Sequence, residues 1–260
     1  MPTVQLRSGM FSWIDVMTTD SSVAIPFYTS VFGWTVEEVP SDGDGPYRFF
    51  VKDGVPAAGI GEMSDDMKEH GVPSSWNSYI QVSDVDAVHA RALELGAESV
   101  VPPMDVMDQG RMAAVADPSG ATVSLWQSTA GMDEGTFNEP GRLTWNELVT
   151  RDPDAARSFY SDLLGWEWDA MEMPQGSYWV IMNHERANGG VMRMTDEWPE
   201  HVPSHWMVYI GSDDVDASAE RVRTAGGTIQ VEPMDIAVGR FCVASDPTGA
   251  PFTIFHGGDM

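Results

Sequence analysis

Trp13-Ile14-Asp15-Val16-Met17 … Phe27-Tyr28 … Gly33-Trp34 is a pattern that the chain contains twice, since it returns as Trp145-Asn146-Glu147-Leu148-Val149 … Phe159-Tyr160 … Gly165-Trp166. The matching residues are 132 positions apart throughout. Such a unit is too long for one turn of a solenoid, whose repeats span about 20 to 50 residues, and is long enough to have its own core. We therefore predict two lobes, residues 1–130 and 139–260, joined by a linker of small, polar and helix-breaking residues.

The composition of the 260 residues narrows the classes of protein to which the chain can belong. No segment approaches the roughly 18 consecutive apolar residues of a membrane span, and the N-terminus lacks the pattern of an export signal. The single cysteine, Cys242, excludes an internal disulfide, and we expect a buried, inert thiol. These features predict a soluble, cytoplasmic protein without membrane contact.

The charge of the chain is strongly negative. Forty acidic residues and fourteen basic ones give a formal net charge of −26. This charge repels phosphate backbones, so we expect no nucleic-acid partner. The acidic residues are scattered along the sequence, which favours a role in solubility over attraction of a cationic ligand.

Each lobe is predicted to contain two units with the element order βαβββ. Residues 11–17 alternate like a strand, and Asp20 then offers an N-cap to a helix that Gly33 ends. The second copy repeats this order, with Asp152 as its N-cap. Pro26 falls inside the first helix and is expected to kink it or to delay its start. The pattern predicts an α+β protein of four units.

Strand alternation assigns a set of side chains to one face of each sheet. If Ile14 and Val16 pack on the helix, the opposite set faces a cavity. Aromatic rings and methionine with sparse polar groups are typical of a ligand pocket. The candidate ligand-binding residues are Trp13, Asn77, Tyr79, Ser124 and Trp126 in lobe 1 and Trp145, Met207, Tyr209, Thr253 and Phe255 in lobe 2.

The sequence resembles the vicinal-oxygen-chelate superfamily, also called the glyoxalase/bleomycin-resistance/dioxygenase family. The resemblance rests on the Phe-Tyr pairs of the helices, on the Gly-Trp pairs that follow, and on the turns that begin at Asp117-Pro118 and Asp246-Pro247. It covers nearly the whole chain and implies two glyoxalase-like lobes with curved mixed β-sheets. The layout is similar to tandem glyoxalase-like proteins of actinomycetes, some of which are linked to aromatic polyketide tailoring.

Metal-dependent members of this superfamily hold a divalent ion with His, Gln or Glu side chains on the first and last strands of each unit. By resemblance, the corresponding positions carry Trp13, Asn77 and Ser124 in lobe 1 and Trp145, Met207 and Thr253 in lobe 2. None of the six histidines falls on them. We therefore expect no metal and no other cofactor.

Asp15 and Glu147 occupy matching positions on the inward faces. Both are candidate catalytic residues, because burial beside aromatic rings raises the pKa of a carboxyl group toward a value useful for acid–base work. The alternative is a pair of structural acids that are satisfied by backbone amides or by Arg111 and Arg240 on neighbouring strands.

The predicted function is a metal-independent, glyoxalase-like protein that binds or tailors a small planar aromatic metabolite, in secondary metabolism or in drug sequestration. Whether it is an enzyme stays open. One alternative is a metal-dependent lyase or dioxygenase with unconventional ligands, such as Glu62, Asp15 or Glu147 with His256. Another is a scaffold whose pockets are filled by side chains. The predicted partner is a small aromatic molecule, and self-association into a homodimer is a further open alternative.

Overall fold

The computed structural model describes residues 4–39, 47–129, 134–135, 137–173 and 176–257. The first half contains β1 (Val4–Gln5), β2 (Phe11–Thr18), α1 (Ser21–Phe32), β3 (Thr35–Val39), β4 (Tyr47–Lys52), β5 (Val55–Glu62), α2 (Asp65–Glu69), β6 (Ser75–Gln81), α3 (Val85–Glu94), β7 (Glu98–Val106), β8 (Gly110–Ala116) and β9 (Thr122–Ser128). Next comes β10 (Glu134–Gly135), which pairs with β1. The second half contains β11 (Leu143–Thr150), α4 (Pro153–Leu164), β12 (Glu167–Met173), β13 (Gly176–Asn183), β14 (Arg186–Arg193), β15 (His205–Gly211), α5 (Val215–Thr224), β16 (Thr228–Ile236), β17 (Gly239–Ser245) and β18 (Pro251–Gly257).

Each lobe is built on one eight-stranded mixed sheet. In lobe 1 the strand order is β3-β4-β5-β2-β6-β9-β8-β7. The central strands β2 and β6 are antiparallel, and each runs parallel to the last strand of its own unit. Lobe 2 repeats this order around β11 and β15. The α+β class and the two glyoxalase-like lobes of two units each are thus confirmed, and the units pair within a lobe.

The long helices begin where the sequence predicts. Each of them has an aspartate N-cap whose carboxylate accepts a backbone N–H bond: Asp20, Asp84, Asp152 and Asp214. Helix α1 starts at Ser21 and continues through Pro26, so the predicted delay of its start is wrong. Proline removes one intrahelical hydrogen bond, whereas the helix gains from burying Phe27 and Tyr28 in the core. No helix in the described ranges is long and apolar enough to cross a membrane.

The hydrophobic core runs through both lobes as one cluster. Helix α1 packs against α5 of the other lobe, and α3 packs against α4. The ring of Phe27 on α1 lies 6.1 Å from that of Phe252 on β18. The expectation that each copy has its own core is therefore wrong, because the helix-covered faces of the two lobes bury each other.

The contacts between the lobes are reciprocal. Trp34 Nε1 donates to the carbonyl oxygen of Gly141 at 2.9 Å. At the matching place Trp166 Nε1 donates to the carbonyl oxygen of Gly9, also at 2.9 Å. The same patch on each lobe thus contacts the other, as in an isologous dimer.

Candidate functional site

Strand register places the candidate residues of lobe 1 side by side on the sheet face opposite the core residues Ile14 and Val16. Asp15 on β2 pairs with Asn77 on β6, and Trp13 pairs with Tyr79. Tyr79 pairs in turn with Ser124 on β9. Residues that pair across adjacent strands present their side chains on the same side of the sheet. We call the surface that these five residues form the lobe-1 face.

The carboxylate of Asp15 lies within the lobe-1 face and is only 3% exposed. Asn77 Nδ2 donates to Asp15 Oδ1 at 2.8 Å. The hydroxyl groups of Tyr79 and Tyr47 donate to Asp15 Oδ2 at 2.7 and 3.2 Å. Because these three donors are neutral, hydrogen bonds rather than an ion pair hold this carboxylate.

A second layer of hydrogen bonds holds the two phenols. Trp13 Nε1 donates to the hydroxyl of Tyr47 at 3.4 Å, and the hydroxyl of Ser124 bonds to that of Tyr79. Gly59 leaves the space that Tyr47 needs, since a Cβ at this position would lie 1.8 Å from Tyr47 Oη. The phenol groups are thus fixed on both sides of the carboxylate.

The pKa shifts determine which groups carry protons. Burial raises the pKa of Asp15 above its ordinary 3.8, although the bonds from Asn77, Tyr79 and Tyr47 lower it. Burial and the negative charge of Asp15 raise the pKa of both tyrosines well above 10.0. Both phenols therefore stay protonated at neutral pH, with their protons directed at Asp15.

An apolar surface extends the lobe-1 face on both sides of this network. On one side the ring of Phe49 stands edge-on to Trp13, with centroids 5.5 Å apart. On the other side Trp126 pairs with Met112, which pairs with Met104 at the sheet edge. All of these side chains are at least partly exposed. Half-buried aromatic and methionine side chains are accessible to a ligand, unlike rings that fill a core.

Lobe 2 builds a similar network around Glu147, which is 8% exposed. The hydroxyl of Tyr209 donates to Glu147 Oε1 at 2.9 Å, and that of Tyr178 also bonds to the carboxylate. Trp145 Nε1 donates to the hydroxyl of Tyr178 at 2.9 Å. Burial raises the pKa of Glu147 above its ordinary 4.5.

The remaining candidates of lobe 2 lie around this network. Met207 pairs with Glu147 across the central strands, where lobe 1 has the amide of Asn77. Thr253 pairs with Tyr209, and the ring of Phe255 is 6.2 Å from that of Tyr209. The carboxylate of lobe 2 thus has one side-chain donor fewer than that of lobe 1.

The arginines considered as partners of the buried carboxylates have other partners. Arg111 donates to Asp86 at 2.6 Å and to Asp105 at 2.7 Å. Arg240 makes the same pair of bonds with the matching acids of lobe 2. The expectation that Arg111 and Arg240 satisfy the two buried carboxylates is therefore wrong. Each guanidinium instead bonds to one acid at a helix N-terminus and one on an edge strand.

The residues at the metal-ligand positions do not fit a divalent ion. Trp13 offers only an indole N–H, which donates to Tyr47 and cannot coordinate a cation. Asn77 donates its amide N–H to Asp15, so that its carbonyl oxygen is the single ligand atom of this pair. Lobe 2 has Trp145 and Met207 at the equivalent places. Within the ranges that the structure describes, no group of three or more His, Cys, Asp or Glu side chains could hold a metal.

The unconventional ligands considered from the sequence are engaged elsewhere. Glu62 ends β5 and binds Lys68 at 2.7 Å, and this bond, with one from Ser21, lowers the pKa of Glu62 to about 2. His256 Nδ1 lies 2.7 Å from the backbone oxygen of Ser212. None of these contacts joins either buried carboxylate, so this ligand set is not assembled.

Sequence reasoning missed four residues of the two networks. Tyr47 and Tyr178 bond to the carboxylates, and Gly59 and Gly190 make room for them, since a Cβ at Gly190 would lie 1.9 Å from Tyr178 Oη. A signal existed in the repeat, because both tyrosines follow a Gly-x dipeptide and both are twelve positions before their glycine. Register across the β4–β5 and β13–β14 pairs was needed to connect them to the carboxylates.

A separate cleft of about 330 Å³ lies between the lobes, on the helix side of the sheets. Lys52 and Arg221 line it. Both cations are engaged, since Lys52 donates to the carbonyl oxygen of Phe32 at 3.2 Å and Arg221 to that of Val31 at 2.9 Å. The cleft is distinct from both concave faces.

The raised pKa values of Asp15 and Glu147 predict a pH dependence of stability. The folded chain holds these two protons at pH values where the unfolded chain has lost them. Their contribution is therefore complete below the ordinary values of 3.8 and 4.5 and is lost as the pH rises through the raised values. We expect each group to lower the free energy of unfolding by at most about 1.4 kcal/mol per pH unit in that window.

Urea unfolding between pH 4.5 and pH 8, followed by tryptophan fluorescence, measures this slope. The Asp15→Asn, Glu147→Gln double variant should show a smaller fall in stability with rising pH than the parent chain. Equal slopes for the two proteins would mean that neither carboxyl group has a raised pKa.

Comparison with known proteins agrees with this architecture. The profile of the Glyoxalase/Bleomycin resistance protein/Dioxygenase superfamily matches residues 11–125 and 142–254. CFP32 of Mycobacterium tuberculosis, provisionally named a glyoxylase, is 42% identical over 254 residues, which cover 96% of this chain and 95% of that protein. The anthracycline biosynthesis protein DnrV of Streptomyces peucetius is 33% identical over 260 residues, covering 95% and 92%. The structure of the 2,3-dioxygenase LapB from Pseudomonas sp. KL28 superposes with a TM-score of 0.65 at 16% identity, covering 98% of this chain and 94% of that one. The resemblance is thereby confirmed, and the chain belongs to the glyoxalase/bleomycin resistance protein/dioxygenase superfamily.

Proposed function

We propose that the lobe-1 face binds a small planar aromatic molecule with hydroxyl or amino groups, without the help of a metal ion. The observation that carries this proposal is the buried carboxylate of Asp15, which accepts hydrogen bonds from the hydroxyl groups of Tyr47 and Tyr79. It lies within a surface of partly exposed aromatic rings. An apolar surface with few, fixed polar groups is the usual composition of a small-molecule site.

The network defines the kind of polar group that the site accepts. Each phenol uses its single proton on Asp15 and accepts one bond, from Trp13 or from Ser124, so that only the remaining lone pair of its oxygen is left for a ligand. A ligand that approaches Tyr47 or Tyr79 must therefore donate a hydrogen bond. Hydroxyl and amino groups do this, whereas a carboxylate or sulfonate presents only acceptors.

Charge acts in the same direction. The carboxylate of Asp15 is held by neutral donors, and the chain as a whole carries a formal charge of −26. An anionic ligand would be repelled by the nearby carboxylate across a medium of low dielectric constant. Neutral and cationic aromatic molecules do not meet this penalty.

The aromatic surface provides the attraction. Trp13 and Phe49 lie on one side of the network and Trp126 on the other, with Met112 beside it. A stacked aromatic pair contributes about 0.5–1.5 kcal/mol beyond its area burial. The relatives named for anthracycline biosynthesis support a polycyclic aromatic ligand, because anthracyclines contain fused planar rings.

Two probes of the same ring system test this proposal: 2,6-dihydroxyanthraquinone, whose hydroxyl groups are free to donate, and anthraquinone-2-sulfonate, which is anionic. Quenching of tryptophan fluorescence should show that the first binds at least about tenfold more tightly, a difference of about 1.4 kcal/mol. In Asp15→Asn the amide can donate to the phenols and free their protons. This variant should bind the dihydroxy probe more weakly and the sulfonate more tightly.

The control is Asp108→Asn, which removes the same charge from an exposed position. It should leave the preference between the two probes unchanged. Equal binding of both probes by the parent chain, or the same preference in Asp15→Asn, would contradict the proposal.

A second candidate function is proton transfer by Asp15 and Tyr79, which the short 2.7 Å bond between them favours. A base on this face would remove a proton from an acidic carbon of the bound ligand and return one from solvent. Anthrone has such hydrogens at C10, and anaerobic NMR in D2O follows their exchange. Faster exchange that Asp15→Asn abolishes supports catalysis, whereas an unchanged rate leaves a binding protein.

A further inference from the structure

The concave face of lobe 2 differs from the lobe-1 face in how it is filled. Val149, Met194 and Met207 are buried there as a small hydrophobic cluster, separate from the main core. The partly buried side chains of Trp198 and Val202 pack against this cluster. Met207 pairs directly with Glu147, so the cluster occupies the space beside the buried carboxylate of lobe 2.

Lobe 1 has different residues at the corresponding positions. Asn77 takes the place of Met207 and is half-buried, with its amide bonded to Asp15. Met17 takes the place of Val149 and is also partly exposed, whereas Val149 is 2% exposed. The two faces therefore differ at these neighbouring positions, although the carboxylate of Glu147 itself is 8% exposed and that of Asp15 3%.

The connections that follow the first unit of each lobe also differ. In lobe 2, residues 195–203 bring Trp198 and Val202 onto the cluster. Two backbone bonds, Trp198 N to Thr195 O at 3.1 Å and Val202 N to Pro199 O at 3.0 Å, shape this segment. In lobe 1 the connection contains the short helix α2, which has no buried residue. In both lobes the connection contributes partly buried side chains, Met67 and Val72 in lobe 1 and Trp198 and Val202 in lobe 2, and those of lobe 2 pack on the hydrophobic cluster.

We propose that the two lobes are specialised, so that one aromatic ligand binds per chain, on the lobe-1 face, and the space beside Glu147 in lobe 2 is filled by the hydrophobic cluster. Position 77, with its counterpart 207, is the residue that determines which lobe binds. Asn77 adds the third donor to Asp15, whereas Met207 is 9% exposed within the hydrophobic cluster. This inference rests on the proposed function and deepens it by assigning the site to one lobe.

A pair of reciprocal variants tests the assignment. Asn77→Met introduces the lobe-2 residue into lobe 1, and Met207→Asn does the reverse. Isothermal titration of the full chain with 2,6-dihydroxyanthraquinone should give one site in the parent. Asn77→Met should weaken this site by at least about tenfold, since it loses a donor to a buried carboxylate and fills the space. Met207→Asn should leave the affinity of that site unchanged.

Asn77→Ala is a second variant for the case in which Asn77→Met misfolds, because it removes the donor without adding volume. Urea unfolding of each variant shows whether it is folded under the conditions of the titration. Weakened binding in Asn77→Ala together with unchanged binding in Glu147→Gln supports the assignment to lobe 1.

Two equal sites per chain, or equal weakening by Asn77→Ala and Glu147→Gln, would overturn lobe specialisation while leaving the proposed ligand class intact. Loss of binding in Glu147→Gln with full binding in Asn77→Ala would place the site in lobe 2 and also overturn it. Failure of the parent chain to bind the dihydroxy probe at all would instead refute the proposed function. The two failures are therefore distinguishable in one set of titrations.

Discussion

Replacing Trp166 with alanine is expected to lower the free energy of unfolding by about 4 kcal/mol and to destabilise both lobes together. The ring is 2% exposed and packs 5.0 Å from Tyr160 of its own lobe. It also packs 5.7 Å from Phe11 and donates to the carbonyl oxygen of Gly9, both in lobe 1. The cavity that remains would thus weaken the core of one lobe and its contact with the other.

Differential scanning calorimetry measures this effect. We expect one transition in the parent and in Trp166→Ala, with a calorimetric enthalpy equal to the van't Hoff enthalpy and a midpoint about 10 °C lower in the variant. Trp198→Ala serves as the control, since this ring is only partly buried, and it should cost about 1 kcal/mol. Two separate transitions, of which only one shifts in Trp166→Ala, would contradict a shared core.

Replacing Gly59 with alanine is expected to weaken binding of 2,6-dihydroxyanthraquinone by about tenfold and to lower the free energy of unfolding by about 2 kcal/mol. The added Cβ would lie 1.8 Å from Tyr47 Oη and 2.9 Å from Asp15 Cβ. The phenol must therefore leave the carboxylate, which loses one donor while it stays buried. The phenol oxygens of Tyr47 and Tyr79 then no longer form a fixed pair of acceptors in lobe 1.

Gly190→Ala is the matched control, because its Cβ would lie 1.9 Å from Tyr178 Oη beside Glu147. It should destabilise the chain to a similar degree and leave binding unchanged, since the ligand occupies lobe 1. Fluorescence titration and urea unfolding of both variants give the two quantities. Unchanged binding in Gly59→Ala would show that Tyr47 is not part of the site.

Much of the architecture follows from local patterns in the sequence. The aspartate N-caps and the closing glycines gave the helix limits, because capping depends on neighbouring backbone groups. Strand alternation predicted that Asp15, Asn77 and Tyr79 lie on one face of the sheet, and in the structure hydrogen bonds join them there. Because the pattern occurs twice in the chain, each of these signals appears in both halves, and the two lobes could be predicted from the sequence.

Features that depend on long-range packing were not predictable in the same way. The role of Tyr47 depends on the register between β4 and β5, which no local pattern specifies. The shared core arises because helices of one lobe cover those of the other, and each lobe alone looks self-sufficient in sequence. The expectation that Arg111 bonds to a buried carboxylate was wrong for a related reason. Arg111 bonds to acids on α3 and β7 that are near it only in the folded sheet.

A crystal structure of the chain with 2,6-dihydroxyanthraquinone tests the central claim most directly. We predict one planar molecule per chain on the lobe-1 face, stacked on Trp13 or Trp126, with a hydroxyl group within hydrogen-bond distance of Tyr47 Oη or Tyr79 Oη. A ligand found in the cleft between the lobes, or held by a metal ion that is bonded to protein nitrogen or oxygen atoms, would contradict it.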